Sequence, residues 1–256
     1  GEAIRRDVAG DQMLWSIYND APPGPHNNSA GGGNPLNAEI RQTVFAFNHP
    51  GPMGRVAFVR YQIANRGPST WTGTFASFWS DPDLGGFTDD LAGSDQTRSL
   101  GMVYNSTNND AVYGSQPPAF GVDLLQGASA AMTYISGTDP QSATQSYNSM
   151  QGLSAIGSPI IDPISGLPTT FMFGGDPVAG TGWLDAAPAD RRIQLSRPLG
   201  ALAPGDTAEV WVALVIGQGL SRLGSVADLY CADDIVQQFF DLGFTGPLPA
   251  PGQCAQ

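Results

Sequence analysis

The densest chemistry in this chain lies in one stretch, residues 80–95, SDPDLGGFTDDLAGSD. Asp81, Asp83, Asp89, Asp90 and Asp95 place five carboxylates within fifteen positions, with Gly85, Gly86 and Gly93 between them. Like charges this close disfavour one another's ionised form. A bound cation removes that penalty. Calcium takes roughly six to eight oxygens, and a glycine-containing loop can wrap them around the ion. The order is not that of an EF-hand, because the regular Asp-x-Asp-x-Asp-Gly run and the closing Glu are missing. The loop holds neither Cys nor His, which argues against a transition metal. The reading is a calcium site at these five aspartates. Asn105, Asn109 and Asp110 of the following YNSTNND run could add oxygens. The alternative is a solvated loop whose aspartates serve turns and caps.

Other chemistries are poorly supplied. A Ser/His/Asp site needs a His held by a carboxylate. The two histidines are His26, in a Pro/Gly/Asn loop, and His49, before Pro50 in a turn. No Gly-x-Ser-x-Gly elbow is present. The triple glycine at 31–33 precedes Asn-Pro rather than a helix, so it does not read as a phosphate loop. Glycoside hydrolysis needs only two carboxylates across a cleft. Asp176, Asp185, Asp190 and Glu209 are scattered candidates without a pattern. The expectation is therefore no enzyme, with a glycosidase-like carboxylate pair as an alternative. Trp183, Gly-flanked in GTGWLD beside Asp185, is the candidate sugar-stacking platform of a carbohydrate-binding module. Trp71, Phe75 and Trp79 share one face of an alternating strand and read as packed core.

Composition narrows the partners. All eleven basic residues are Arg, acidic residues number 23, and the formal net charge is −12. That excludes the basic patch a nucleic-acid surface needs, and an anionic membrane would repel the chain. No apolar run approaches the roughly 20 residues of a membrane span. Cys231 and Cys254 are expected to pair, tying the C-terminal tail to the preceding helix in an oxidising compartment. The chain begins at Gly1 without Met, as a mature or excised fragment would.

The elements that must position these residues are mostly strands. Gly (33) and Pro (21) punctuate short apolar runs throughout, the texture of many strands joined by tight turns. Strands are expected at 11–20, 40–48, 55–67, 69–81, 99–105, 120–127, 169–175, 191–196 and 208–219. The break at Gly67-Pro68 suggests that the third and fourth of these pair as a hairpin. Residues 21–38 read as loop and 128–168 as a loop-rich insertion. One helix is expected at about 223–242, with Ser225 and Asp228 as a capping box and Gly243 as its stop. The fold class is all-β, an antiparallel β-sandwich of jelly-roll type with one C-terminal helix, in a single domain over 1–256.

The ordered series LWSIYNDA, VAFVRYQIANRG, FWSDPDLGGFTDDLAGSD, LGMVYN, YGSQPPAFGVDLLQG, FMFGGDPVAGTGW, DRRIQLS, LAPGDTAEVWVALVIGQG and SVADLYCADD resembles a β-rich module of large secreted bacterial surface proteins of poorly defined function. It covers about residues 11 to 244. The resemblance implies an extracellular module, with other domains of a larger protein as neighbours, and it brings no catalytic activity. The acidic loop matches at Asp81, Asp83, Asp89, Asp90 and Asp95. One departure is Ser94, where the pattern has a Cys. The function expected is a secreted, calcium-stabilised structural, adhesive or ligand-binding module. Glycan binding and self-association as a surface or filament subunit are the alternatives, with no nucleic acid and no membrane insertion.

Overall fold

The computed structural model describes residues 9–20, 32–245, 247–250, 252 and 254. His26 and much of the 21–38 loop lie outside these residues.

The described residues fold into two main antiparallel sheets and two α-helices. In order these are β1 (Gln12–Asn19), β2 (Ala38–Ala46), β3 (Val56–Asn65), β4 (Trp71–Ser80), β5 (Asp90–Asp95), β6 (Leu100–Asn105), β7 (Ala119–Leu124), β8 (Ala130–Ile135), α1 (Ala143–Met150), β9 (Ile160–Ile161), β10 (Pro168–Thr169), β11 (Arg191–Leu202), β12 (Thr207–Gly217) and α2 (Arg222–Asp241). Seven strands form a large sheet in the order β1-β2-β3-β12-β7-β6-β5, and three form a smaller one, β4-β11-β8. A short β9–β10 hairpin stands apart.

Three layers result. On one face of the large sheet, Val59, Val103, Val122, Leu124 and Val212 meet Ile193 and Leu195 of the small sheet. On the other face, Phe58, Leu100, Met102, Ala213 and Val215 meet Val226, Leu229, Ala232 and Val236 of α2. A central strand covered on both faces must be apolar at every position, and VWVALVIG in β12 meets that demand. α2 seals the second layer, and its residues recur at helical spacing for that reason.

The helix ends differ from the expected pattern at one end and agree at the other. Ser221 is the N-cap, accepting from the Gly224 N–H at 3.1 Å. The expected capping box at Ser225 and Asp228 is not formed, because both lie inside the helix and face the protein. The Ser225 hydroxyl donates to the Pro117 carbonyl at 2.7 Å, and Asp228 accepts from Arg55 at 2.6 Å and from the Gln218 N–H at 2.8 Å. At the C-terminus, the Gly243 N–H reaches the Phe240 carbonyl (2.8 Å) and the Phe244 N–H reaches the Phe239 carbonyl (3.0 Å). This pair of bonds is a Schellman stop, and the two rings Phe239 and Phe244 pack edge to face.

Two further expectations are corrected. β3 and β4 do not form a hairpin. Both edges of β3 are taken, by β2 and β12, so β4 crosses to the small sheet and pairs with β11. Asn65 turns the chain there, its amide donating to the carbonyls of Ser69 and Leu202 and accepting from the Gly67 N–H. The strand expected at 169–175 is confined to β10, followed by turns. Nor do Trp71, Phe75 and Trp79 share a core face. Gly73, at φ 63°, interrupts the alternation of β4. Trp71 is buried with Ala38 and Leu202, Phe75 packs edge to face on Tyr147 of α1, and Trp79 is exposed.

Cys231 and Cys254 form a disulfide, with Cα atoms 5.7 Å apart. It fastens the C-terminal segment beside α2, where Cys254 and Leu248 contact the α2 layer. Closing a loop across 23 residues restricts the unfolded chain, worth about 3 kcal/mol. Reduction, or Cys254→Ser, should lower the urea-unfolding free energy by that amount. A change under about 1 kcal/mol would show the tail to be held by packing alone.

Candidate functional site: the carboxylates after β4

The five loop aspartates do not converge on one point. Asp95 is committed elsewhere: its Oδ1 accepts from Thr97 and the Arg98 N–H, and its Oδ2 from the Arg98 side chain at 2.6 Å. Arg98 also forks onto Asp234 of α2. These donors hold the Asp95 carboxyl below the usual range, against the opposing effect of its burial.

Two carboxylate groups remain. In the first, Asp81, Asp83 and Asp190 each offer an oxygen within 4.8 Å of the others. Asp190 enters from the start of β11, a partner that nothing in the local sequence around Asp81 signals. A guanidinium lies in this group. Arg192 is 3.0 Å from Asp81, 3.2 Å from Asp190 and 3.7 Å from Asp139. Burial, with the charges of Asp190 and Asp83, nonetheless raises the Asp81 pKa despite Arg192.

The second group is built around Asp110 and Asp90. Asp110 is the organiser. Its Oδ1 accepts from the Val112 and Tyr113 N–H groups, and its Oδ2 from the Gly86 N–H and the Asn105 amide. Backbone donors hold this carboxyl in its charged form, below the usual range, although burial opposes them. Gly85 bends over it at φ 69°, where an added Cβ would stand 2.3 Å from Oδ1, so only glycine fits. The Asn105 amide also donates to Asp89 at 3.2 Å. Asn109 is exposed, and its backbone N–H and carbonyl bond to the Thr107 hydroxyl.

Asp90 is the anomaly. It is fully buried. Its Oδ2 accepts one long bond from the Leu84 N–H at 3.3 Å, and its Oδ1 has no partner among the described residues. Burial, then the charges of Asp89, Asp110 and Asp83, push its pKa up to about 8. No cationic side chain among the described residues offsets this, so burial favours the protonated form of this carboxyl at neutral pH.

The other candidates resolve into structural roles. Trp183 is half-buried, its ring 5.0 Å from that of Phe173. Asp185 does not stand beside it as a ligand group: it is turned inward, salt-bridged to Arg191 at 2.7 Å and accepting from the Ala92 N–H at 2.9 Å. Asp176 caps a turn through the Val178 and Ala179 N–H groups. Glu209 lies on the α2 side of the large sheet, bound by Arg60 and Gln62. The His49 ring accepts from the Gly51 N–H.

No helix among the described residues is long and apolar enough to cross a membrane. No family model matches the chain, and no curated protein does. Among solved structures, it is similar to a putative aldose 1-epimerase from Escherichia coli K12, at 10% identity over 82% of this chain and 67% of that one, with a TM-score of 0.32. The expectation of no enzyme rested only on the lack of a catalytic pattern, and it is not kept against this neighbour. A likeness this slight transfers no residue role and no activity to this chain.

Proposed function

We propose that this chain is a secreted, calcium-stabilised β-sandwich module of a larger bacterial extracellular protein, serving in structure, adhesion or ligand binding beside that protein's other domains. Asp90 carries the reading. A fully buried carboxyl with an unpartnered oxygen, facing the charges of Asp89, Asp110 and Asp83, is costly unless protonated or joined by a cation. A hard divalent ion matches an all-oxygen donor set of this kind. In this reading the ion sits where Asp83 joins the two groups, with the Asp83 oxygen within 4.8 Å of those of Asp81 and Asp190 and the Asp83 charge acting on Asp90. Asp110, already saturated with donors, shapes the loop, and Asp81 with Asp190 forms the outer rim. The disulfide supports an oxidising location. The jelly-roll type and a single domain over 1–256 belong to the same proposal, supported by the chain's crossing between sheets at β3–β4, β4–β5, β7–β8 and β11–β12.

Calcium at about a hundredfold its dissociation constant should stabilise the fold by about 2.7 kcal/mol over chelator. Because Asp90 must ionise to ligate, titration at pH 7 should release about one proton per ion. Asp90→Asn should abolish the calcium response. Asp95→Asn should lower stability yet keep it. Identical melting curves with calcium and with chelator would refute the proposal.

A further inference from the structure

Arg197 of β11 differs from every other arginine among the described residues. The others each reach a carboxylate or a carbonyl. Arg197 does not: its Nε and Nη1 are shut away from water with no acceptor among the described residues. Burial pushes its pKa down, and no carboxylate acts against that push. A cation held in this way costs stability. Acidic partners are plentiful in a chain of net charge −12, so the isolation comes from where the fold places this residue.

Strand register gives that place. Ile193 and Leu195 pack on the large sheet, and alternation sends Arg197 to the same side. Its partner on β4 is Ala76. Directly opposed residues share a face, with Cβ atoms about 5 Å apart, so both side chains enter the space between the sheets. Ala76 is also a wall of a groove of about 380 Å³ beneath the edge strand β4. Val210 and Val212 of β12 floor this groove, and Phe78, Tyr18 and Tyr61 complete its sides. Arg197 therefore stands one strand behind the Ala76 wall.

The groove is suited to a small molecule. Its volume lies within the roughly 300–1,000 Å³ of ligand pockets, and its surroundings are apolar and aromatic with few polar groups, as such sites are. Phe78, Tyr18 and Tyr61 offer rings to a flat ligand. Burial raises the two phenols, so both stay O–H donors at neutral pH. No lining residue is charged. An anion inside would meet one counter-charge, Arg197, and no carboxylate on the walls. The chain's net charge opposes its approach only weakly, being screened beyond about 8 Å at physiological salt.

We infer that this groove binds a small organic carboxylate with a flat apolar body, the body lying among Phe78, Tyr18 and Tyr61 and the carboxylate pairing with Arg197. A carboxylate supplies the charge-assisted hydrogen bonds that the guanidinium lacks. A neutral sugar would leave the charge unpaired, and a cation would be repelled by it. The site gives the ligand-binding part of the proposed function a location, and it does not depend on calcium. Binding is therefore measured in chelator, so that either reading can fail alone.

The probes are naphthoate and its neutral amide, titrated calorimetrically into the full chain. Wild type should bind naphthoate saturably and at least about tenfold more tightly than the amide. Arg197→Met should lose that preference. It should also raise the melting temperature of the ligand-free protein, because an unpaired buried charge is removed. Tyr18→Ala, at an exposed edge position, should weaken both probes alike. Trp15→Ala, on the opposite face of the same strand, should change neither. Absence of saturable naphthoate binding up to about 5 mM, equal affinity for acid and amide, a preference that survives Arg197→Met, or a lower melting temperature in that variant would each overturn the inference.

Discussion

Arg191→Met is expected to destabilise the fold by about 3–5 kcal/mol, measured by urea unfolding. Arg191 and Asp185 are 5% and 1% exposed at their side chains and 2.7 Å apart. The guanidinium also donates to the Ala187 carbonyl and lies 5.6 Å over the Phe173 ring. Asp185 in turn accepts from the Ala92 and Ala187 N–H groups, which ties the 183–190 loop to β5. Removing the cation strands a carboxylate away from water, and that uncompensated charge sets the cost, not the attraction of the pair. The double variant Asp185→Leu with Arg191→Met should therefore recover part of the loss. A single-variant effect below about 1 kcal/mol would place the pair in the weak class of surface bridges.

Asp123→Asn should remove a pH dependence that wild type shows. Asp123 of β7 and Asp233 of α2 are both buried, at 0% and 1% exposure. No N–H or O–H donor among the described residues reaches either Asp123 oxygen, so the bond between the two carboxyls needs a shared proton. Burial pushes both well above the ordinary carboxyl range, and Asp234, Asp241 and Asp95 push in the same direction. Arg98 opposes them but is occupied by Asp95 and Asp234. The folded state thus holds a proton that the unfolded chain releases above about pH 4. Below that pH there is no penalty. As pH rises, wild type loses about 1.4 kcal/mol per unit while the pair keeps its proton. An Asn at 123 can donate to an ionised Asp233 and escapes this. Unfolding in chelator from about pH 5 to 8 should show wild type falling relative to Asp123→Asn. Parallel curves would mean that the two carboxyls do not share a proton.

Much of the fold was legible before any coordinates. The alternation in VAFVRYQIAN and VWVALVIG announced strands, and the helical recurrence from Val226 to Phe240 announced α2 to within a residue or two. The cysteine pair was readable from its even count. The site was legible only in part. The crowding of aspartates was visible, but which of them meet was not. Asp95 belongs to Arg98, a neighbour three positions on that the loop reading passed over. Asp190 and Arg192 reach Asp81 from the start of β11, and Asp139 joins through Arg192 from the loop after β8. The pairing of Asp123 with Asp233 left only a faint trace, an Asp among apolar residues in FGVDLL.

The sequence by itself determined which residues face inward along each strand and helix, because the backbone periods of two and 3.6 are local and write themselves into the order of apolar side chains. It also determined that positive charge is scarce. Only the tertiary structure decided that β4 leaves β3 for the other sheet, that Gly73 turns Trp79 outward, and that Asp90 is sealed in beside other carboxylates. Those outcomes depend on which distant segments compete for the same sheet edge and the same buried volume, and that competition has no local period to read.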